Sequence, residues 1–436
     1  MKFNKKTFFR LHSWIGVKLS ILFFIVCFSG TLATLSHEMD WLLNPATRAT
    51  PSVTTASKDL IVKNVYKAYP TGKITYWMGA PMPYLCDIIY VEVEKQRWYV
   101  FANPYTGEVQ GASALTFQRF FRDLHYFLFI PFQVGHFTVL IFGFLLFISL
   151  GTALFFYKKW YRKLFDLEVG KGRVVFFRSL HRLVGVWSVP FTLLFSITGI
   201  WYFMERTNTA AISSTANPEM PEIITTIDSI AFERVVKSID YNKAEQAAQR
   251  AIAALQVKDI LPPENVGDPI YLTGISQVPL VRNRANRVYI DPETYEVIQV
   301  QKAEETNTVT WLNDIADPLH FGYWGGLITK IIWFVAGLGI SGLVLTGIWI
   351  SLKRKVKSEY LQKRQKMGAW RYVNGVVVAA MTFFMYYFVI VRYSASTRIV
   401  ALVTIGLTLF IFLGWYIFSY QLKKAAEKEL AAKRHA

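Results

Sequence analysis

The sequence predicts a mainly α-helical membrane protein with six transmembrane helices, an internal duplication and a C-terminal helical hairpin. Three observations indicate this: blocks of apolar residues, basic residues beside the blocks, and repeated motifs. Of the 436 residues, 53% are hydrophobic and 18% charged, whereas soluble domains carry about a quarter charged residues. The apolar residues gather in blocks long enough to cross a hydrocarbon core of ~30 Å. The six blocks cover residues 14–36, 132–157, 183–204, 327–352, 371–391 and 399–420.

The basic residues predict the orientation of the chain. More than half of the 48 Lys and Arg residues lie in short segments beside the blocks, namely 1–12, 158–182, 353–372 and 421–436. The long polar segments 38–131 and 205–326 are balanced or acidic. Basic loops stay on the cytoplasmic side of a membrane, so we expect both termini in the cytoplasm and both long polar segments on the outer side, which is the periplasm if the membrane is a bacterial inner membrane. The net charge of +18 therefore does not indicate a nucleic-acid partner.

These segments predict a division of the chain into ten parts. The first apolar stretch is too long for a signal peptide and lacks a small-x-small cleavage site, so we expect an uncleaved helix. The predicted parts are transmembrane helix 1 at 1–37, periplasmic domain 1 at 38–131, transmembrane helix 2 at 132–157, a cytoplasmic loop at 158–182, transmembrane helix 3 at 183–204, periplasmic domain 2 at 205–326, transmembrane helix 4 at 327–352, a cytoplasmic loop at 353–370, the hairpin of helices 5 and 6 at 371–420, and a cytoplasmic tail at 421–436.

The helix starts at His12 and His181 are similar in sequence. Each His follows a Leu and precedes one Gly by four residues and a second Gly by eighteen, namely Gly16 and Gly30 in one copy and Gly185 and Gly199 in the other. These glycines either let helices approach closely or leave room for a porphyrin. Repetition at equivalent positions predicts that the two helix starts have equivalent roles.

The polar segments and the helices that follow them also repeat. Asn103-Pro104 and Asp291-Pro292 each begin a turn between two predicted strands. Leu124-His125 precedes the second helix, and Leu319-His320 precedes the fourth. The repeating unit is therefore helix, periplasmic α+β domain, helix. The last two helices have no copy, and we expect them to pack on the core or to make a subunit contact.

The repeat arranges four histidines in two pairs. A parallel repeat implies a pseudo-two-fold axis along the membrane normal, so His12 should face His181 on the cytoplasmic side and His125 should face His320 on the periplasmic side. Two imidazoles from different helices, on either side of a macrocycle, hold b-type haem iron in helical bundles. We therefore predict two b-type haems and electron transfer across the lipid bilayer. Covalently attached haem and iron–sulfur clusters are not expected, because the sequence has only two cysteines and no C-x-x-C motif.

Other interpretations of the histidines stay open. His37 and His136 have no repeat partner, and either one could replace His125 as a ligand on the outer side. A zinc site would need three or four converging ligands, and His37, His125, His136 and His320 all lie near the outer face. His435 belongs to the charged tail and is expected to have no role.

Several further motifs bear on function. The run 337–342 fits G-x-G-x-x-G, but it lies inside an apolar block and so predicts helix packing instead of a dinucleotide site. Because no nicotinamide, flavin or P-loop motif is visible, electrons should come from quinol or from a separate cytoplasmic reductase.

Lys18 and Lys330 lie near the ends of apolar blocks, so we expect their side chains to extend to the membrane surface. The last motif is a basic cluster that either attracts an anion or forms one solvated strand face, namely Arg282, Arg284 and Arg287.

The helix-opening Leu-His-x-x-x-Gly-Val, the Asn/Asp-Pro-x-Thr-x-Glu-Val turn and Leu319-His320-Phe321-Gly322 resemble the PepSY-associated transmembrane family over residues 8–356. The resemblance implies a location in the bacterial inner membrane, PepSY-like periplasmic domains and a haem-dependent reductase that passes electrons to the iron(III) of a ferric siderophore. It also implies that His12, His181, His125 and His320 are the haem ligands, with no further catalytic residue assigned. One departure is Tyr295 in place of Gly107, which would fit a degenerate second domain. The alternative function is a non-enzymatic periplasmic binding or regulatory module.

Overall fold

The protein consists of two compact units in this computed structural model, which describes residues 4–225, 228–359, 370–421 and 424. The helical unit comprises Met1–Ala33, Phe121–Ile200 and Ile332–Ala436, and the sheet unit comprises Thr34–Phe120 and Trp201–Ile331. His435 and almost all of the predicted 353–370 loop and 421–436 tail lie outside the described residues or the described side chains.

The described residues form helices and strands in the following order. The helices are α1 Lys5–Lys18, α2 Ser20–Thr34, α3 Ser36–Leu43, α4 Lys58–Ala68, α5 Phe117–Phe127, α6 Phe132–Phe156, α7 Arg173–Trp187, α8 Val189–Arg206, α9 Ile212–Ala216, α10 Ser229–Ser238, α11 Tyr241–Ala251, α12 Thr308–Phe321, α13 Gly326–Glu359, α14 Trp370–Tyr387 and α15 Thr397–Trp415. The strands are β1 Lys73–Met78, β2 Asp87–Val93, β3 Gln96–Ala102, β4 Val109–Ser113, β5 Gln256–Leu261, β6 Ile270–Ile275, β7 Asn286–Ile290 and β8 Val297–Gln301.

The chain is a membrane protein with several apolar helices. Four helical stretches are long and apolar enough to cross a bilayer, namely Phe132–Phe156, Tyr323–Lys353, Tyr372–Arg392 and Thr397–Phe418. Two bent pairs also qualify if each is one span: α1 with α2, bent by 73°, and α7 with α8, bent by 60°. The described residues therefore provide four to six candidate spans.

The two bends interrupt the helices that the sequence predicts at 14–36 and 183–204. The second bend has a clear cause, because Pro190 is the second residue of α8 and cannot continue a preceding helix. At the first bend, α1 ends at Lys18, and the Ser20 hydroxyl donates a hydrogen bond to the Val17 carbonyl. Each bend follows the helix that carries a predicted ligand, so His12 and His181 lie on short separate helices.

The strands of both polar segments join in one antiparallel sheet. Its order is β4-β3-β2-β1-β5-β6-β7-β8, and β1 pairs with β5 through Trp77 opposite Ile260. The sequence predicts two separate domains, but this pairing gives each four-stranded half a neighbour for what would otherwise be an exposed edge strand. Helices α4 and α11 cover one face, where buried Ile61 and Ala248 belong to the same core as Leu272.

The two Asn/Asp-Pro turns have the same geometry. The side chain of Asn103 accepts from the backbone N–H groups of residues 105 and 106, and Asp291 accepts from those of residues 293 and 294. Gly107 has a φ of +77°, and Tyr295 takes a similar φ of +60° at the equivalent position. The Tyr295 hydroxyl accepts a hydrogen bond from the Asp240 backbone N–H, which helps to hold this left-handed backbone. The expected degeneracy of the second copy is therefore wrong: β5–β8 form as complete a meander as β1–β4.

Candidate functional site

The helical unit contains a cavity of about 730 Å³ with His12 and His181 on its wall. Its size lies within the range of ~300–1,000 Å³ that is usual for cofactor sites. Helices α1, α6, α7 and α13 surround it, and most of the lining is apolar, for example Leu150, Val186 and Val344. The structure thus brings together the two histidines that the repeat predicts as a pair.

Hydrogen bonds fix the orientation of both imidazoles. Nδ1 of His12 lies 3.1 Å from the Ser149 carbonyl oxygen, which can only accept, so Nδ1 carries the proton. Nδ1 of His181 lies 2.8 Å from Oγ1 of Thr346. The Thr346 hydroxyl donates to the Gly342 carbonyl, so this oxygen also acts as an acceptor for the imidazole. In both rings, Nε2 keeps its lone pair, which is the arrangement found in metal-ligating histidines.

Two of the four repeated glycines provide space at this cavity. Gly16 and Gly185 line it, each one helical turn beyond its histidine on the same face. A Cβ atom at Gly16 would meet nothing within 4 Å, and one at Gly185 would meet only a Leu343 methyl group at 3.9 Å. The other pair has a packing role, because a Cβ atom on Gly199 would lie 3.4 Å from the backbone of Gly143. Gly16 and Gly185 therefore leave open space at the cavity, whereas Gly199 lets two helices approach closely.

Charged side chains lie on one wall of the cavity. Arg178 and Arg182 are one helical turn apart on α7, and Glu168 lies 3.3 Å from Arg182. Nε of Arg182 is buried and has no hydrogen-bond partner among the described residues. An unpaired buried donor is costly, so this wall would be stabilised by an anionic group in the cavity. A planar macrocycle with carboxylate substituents fits this combination of apolar walls, two imidazoles and an unpaired guanidinium donor.

His125 and His136 lie on either side of the turn between α5 and α6. Nδ1 of His125 is 2.9 Å from the Val26 carbonyl oxygen, and Nδ1 of His136 is 3.2 Å from that of Tyr126. Both rings therefore keep the Nε2 lone pair as well. A Cβ atom on Gly30 would lie only 2.7 Å from Cε1 of His125, so this glycine is required by the close approach of the ring.

His320 and His37 belong to the sheet unit. His320 is near the end of α12, and its ring packs edge-on against Tyr202 and Phe321, with centroid distances of 5.4 Å and 5.3 Å. Tyr202 in turn donates a hydrogen bond of 2.7 Å to Asp317. His37 is partly buried on α3. The predicted pairing of His125 with His320 joins residues of different units and stays a prediction.

Residues 9–354 match the family model described as PepSY-associated TM region. The chain belongs to this family. The match includes all four repeat histidines and ends before α14, so the C-terminal hairpin lies outside it. No curated protein matches the chain.

The basic cluster of the sheet unit is paired inside the protein. Nε of Arg282 and Nε of Arg284 lie 2.8 Å and 3.0 Å from the same carboxylate oxygen of Asp314, which has no exposed surface. Arg287 is 3% exposed and donates to the Ala216 carbonyl. Burial works against the charged form of Arg282, but Asp317 and Asp314 outweigh it and raise its pKa. The expected solvated strand face is therefore wrong, and these groups tie the strand region to α12.

Lys330 does not extend to the membrane surface as expected. Its side chain is 6% exposed and forms an ion pair with Glu38 of α3. This pairing compensates the cost of burying the lysine charge.

The zinc alternative requires several ligands at one place. Within residues 4–225, 228–359, 370–421 and 424, no group of three or more His, Cys, Asp or Glu side chains is placed to hold a metal ion. The described residues therefore provide no ligand set for the zinc alternative.

Proposed function

We propose that this protein is a di-haem oxidoreductase of the bacterial inner membrane that reduces ferric-siderophore iron(III) in the periplasm. The first haem would be held by His12 and His181, and the second by His125 and His320. The observation that carries the proposal is the cavity lined by two imidazoles from different helices, each of which keeps an Nε2 lone pair because its Nδ1 donates a hydrogen bond. The proposal includes six spans, an internal duplication and a haem at each membrane face.

Charge supports the orientation in this proposal. The segment 158–182 carries eight Lys and Arg residues beside the His12–His181 cavity, which is expected on the cytoplasmic side. The sheet unit would then lie in the periplasm, where a ferric chelate arrives. The electron donor would be quinol or a cytoplasmic reductase.

Haem, when bound, supplies one-electron chemistry at a potential that its axial ligands and surroundings tune. The protein's own residues bind and orient it. The Ser149 carbonyl and Thr346 hydroxyl hold the two imidazoles in one tautomer. The lining is mostly apolar, and Arg178 and Arg182 would neutralise carboxylate groups at the cavity wall. No general acid or base is required for transfer of an electron to iron(III).

A direct test of the activity uses the purified protein reduced under anaerobic conditions. It is mixed with hydroxamate-bound iron(III) and a chromogenic iron(II) chelator. We expect the absorbance bands of the reduced haem to decay at the rate at which iron(II) appears, because each electron that leaves a haem reduces one iron(III). Bands that stay reduced in the presence of excess ferric chelate would contradict the reductase proposal.

A leucine at position 16 should prevent cofactor binding in the cavity. Gly16→Leu places a side chain in open space beside His12, so the backbone is not strained but the cavity is filled. We expect about one haem per chain instead of about two, measured as pyridine haemochrome. Gly151→Leu is the matched control: its Cβ atom also meets nothing within 4 Å, and Gly151 does not line this cavity. Equal haem content in Gly16→Leu and the parent would place the cofactor elsewhere.

A further inference from the structure

The C-terminal hairpin contacts the α5–α6 turn although it lies outside the family match. Phe388 packs against Phe127 and Phe129, with ring centroids 5.2 Å and 6.0 Å apart. The hydroxyl of Tyr393 donates a hydrogen bond to Asp123. Both hairpin residues lie in or next to the π-helical turn Phe388–Arg392 at the end of α14. Such turns are rare and often occur at functional sites.

The turn that receives these contacts is strained and buried. Leu128 and Phe129 have φ values of +58° and +57°, which non-glycine residues seldom adopt, and they are 1% and 0% exposed. The start of α6 packs so closely on this turn that a Cβ atom at Gly135 would lie 1.9 Å from the Phe127 carbonyl oxygen. A strained backbone of this kind persists only where the surrounding packing holds it.

The same turn positions His125. This residue is two positions after Asp123, and its ring is held between the Val26 carbonyl and the Gly30 backbone. The Asp123–Tyr393 hydrogen bond is itself dry, because the two residues are 2% and 8% exposed. A buried bond of this type is stronger than one in water, and its loss leaves a carboxylate oxygen with one fewer donor.

We propose that the C-terminal hairpin is a clamp that fixes the orientation of His125, with Tyr393 and Phe388 as positioning residues. The inference rests on the proposed function, in which His125 is a haem ligand. It gives the hairpin a role within one chain: the hairpin sets the ligand field and therefore the reduction potential of the outer haem. It also accounts for the strained turn, which the hairpin packs against and holds.

The test compares two tyrosines of the hairpin. Tyr393→Phe removes the hydroxyl that bonds Asp123 and keeps the ring. Tyr386→Phe is the matched control, since its hydroxyl bonds Thr404 within the hairpin. We expect Tyr393→Phe to shift the midpoint potential and the low-temperature electron paramagnetic resonance signal of one haem of two, and Tyr386→Phe to shift neither. Phe388→Leu should shift the midpoint potential of the same haem. Agreement between two variants that remove different contacts would show that the hairpin, and not one substitution, causes the shift.

A second readout does not depend on haem. Amide hydrogen exchange at Leu128 and Ile130, whose N–H groups bond the carbonyls of Leu124 and Phe127, should be faster in Tyr393→Phe than in the parent or Tyr386→Phe. If both haems and the exchange rates are unchanged in Tyr393→Phe and Phe388→Leu, the clamp is overturned while the reductase proposal stands. If His125→Ala leaves both haems of the parent in place, the ligand assignment fails. A parent protein without haem overturns both.

Discussion

Replacing His181 with alanine should remove one of two haems and leave the spectrum of the other intact. The imidazole is one of two that face the same cavity, and its removal leaves His12 as the sole candidate axial ligand there. We expect the pyridine haemochrome value to fall from about two haems per chain to about one. His12→Ala should give the same result, and the double variant should lose no more than either single variant.

Removing only the hydrogen-bond partner of His181 should weaken haem binding without abolishing it. Thr346→Val keeps the shape of the side chain but removes the acceptor for Nδ1 of His181. Loss of such an outer-shell partner usually weakens binding about 10–100-fold, which a haem titration of the apoprotein measures. Thr408→Val is the control, because that hydroxyl bonds a carbonyl of its own helix in the same way. Unchanged haem content in His181→Ala would contradict the assignment of this cavity.

Replacing His320 with alanine should remove the other haem and stop iron reduction. The inner haem would still accept an electron, but no second haem nearer the periplasm would receive it. Iron(II) formation should therefore fall to the rate seen without protein. The measurement combines haem stoichiometry with trapping of iron(II) under anaerobic conditions. The surviving inner haem serves as an internal control for folding.

Variants of the other three histidines identify which of them is the second axial ligand of the outer haem. His125→Ala should reproduce the loss of the outer haem, whereas His37→Ala and His136→Ala should retain it. If His136→Ala loses the haem and His125→Ala keeps it, the ligand is His136, which lies across the same turn. Equal haem content and equal reduction rates in His320→Ala and the parent would contradict the outer site.

The sequence predicts the His12–His181 pair because both residues sit at the same point of a repeat. Hydropathy predicts where the apolar helices occur, and the family resemblance is confirmed by the match over residues 9–354. Periodicity does not predict the bends after α1 and α7, although Pro190 is a local signal for the second. A helix break changes direction without changing the apolar composition on either side.

Contacts between distant residues could not be predicted from local patterns. Lys330 pairs with Glu38, which lies 292 positions away, and Arg282 pairs with Asp314 and Asp317 on α12. Tyr393 reaches Asp123 across 270 positions. Each partner is an ordinary charged or polar residue in its own segment, and only the folded chain brings it to a buried counterpart. The pairing of β1 with β5 is of the same kind.

The measurement that most directly tests the central claim is the visible spectrum of the detergent-purified protein, oxidised and then reduced with dithionite, with a pyridine haemochrome count. The His12–His181 cavity and the second histidine pair predict a b-type spectrum with about two haems per chain. A colourless protein, obtained from cells with ample iron and haem, would contradict the claim and favour a binding module anchored by its helices.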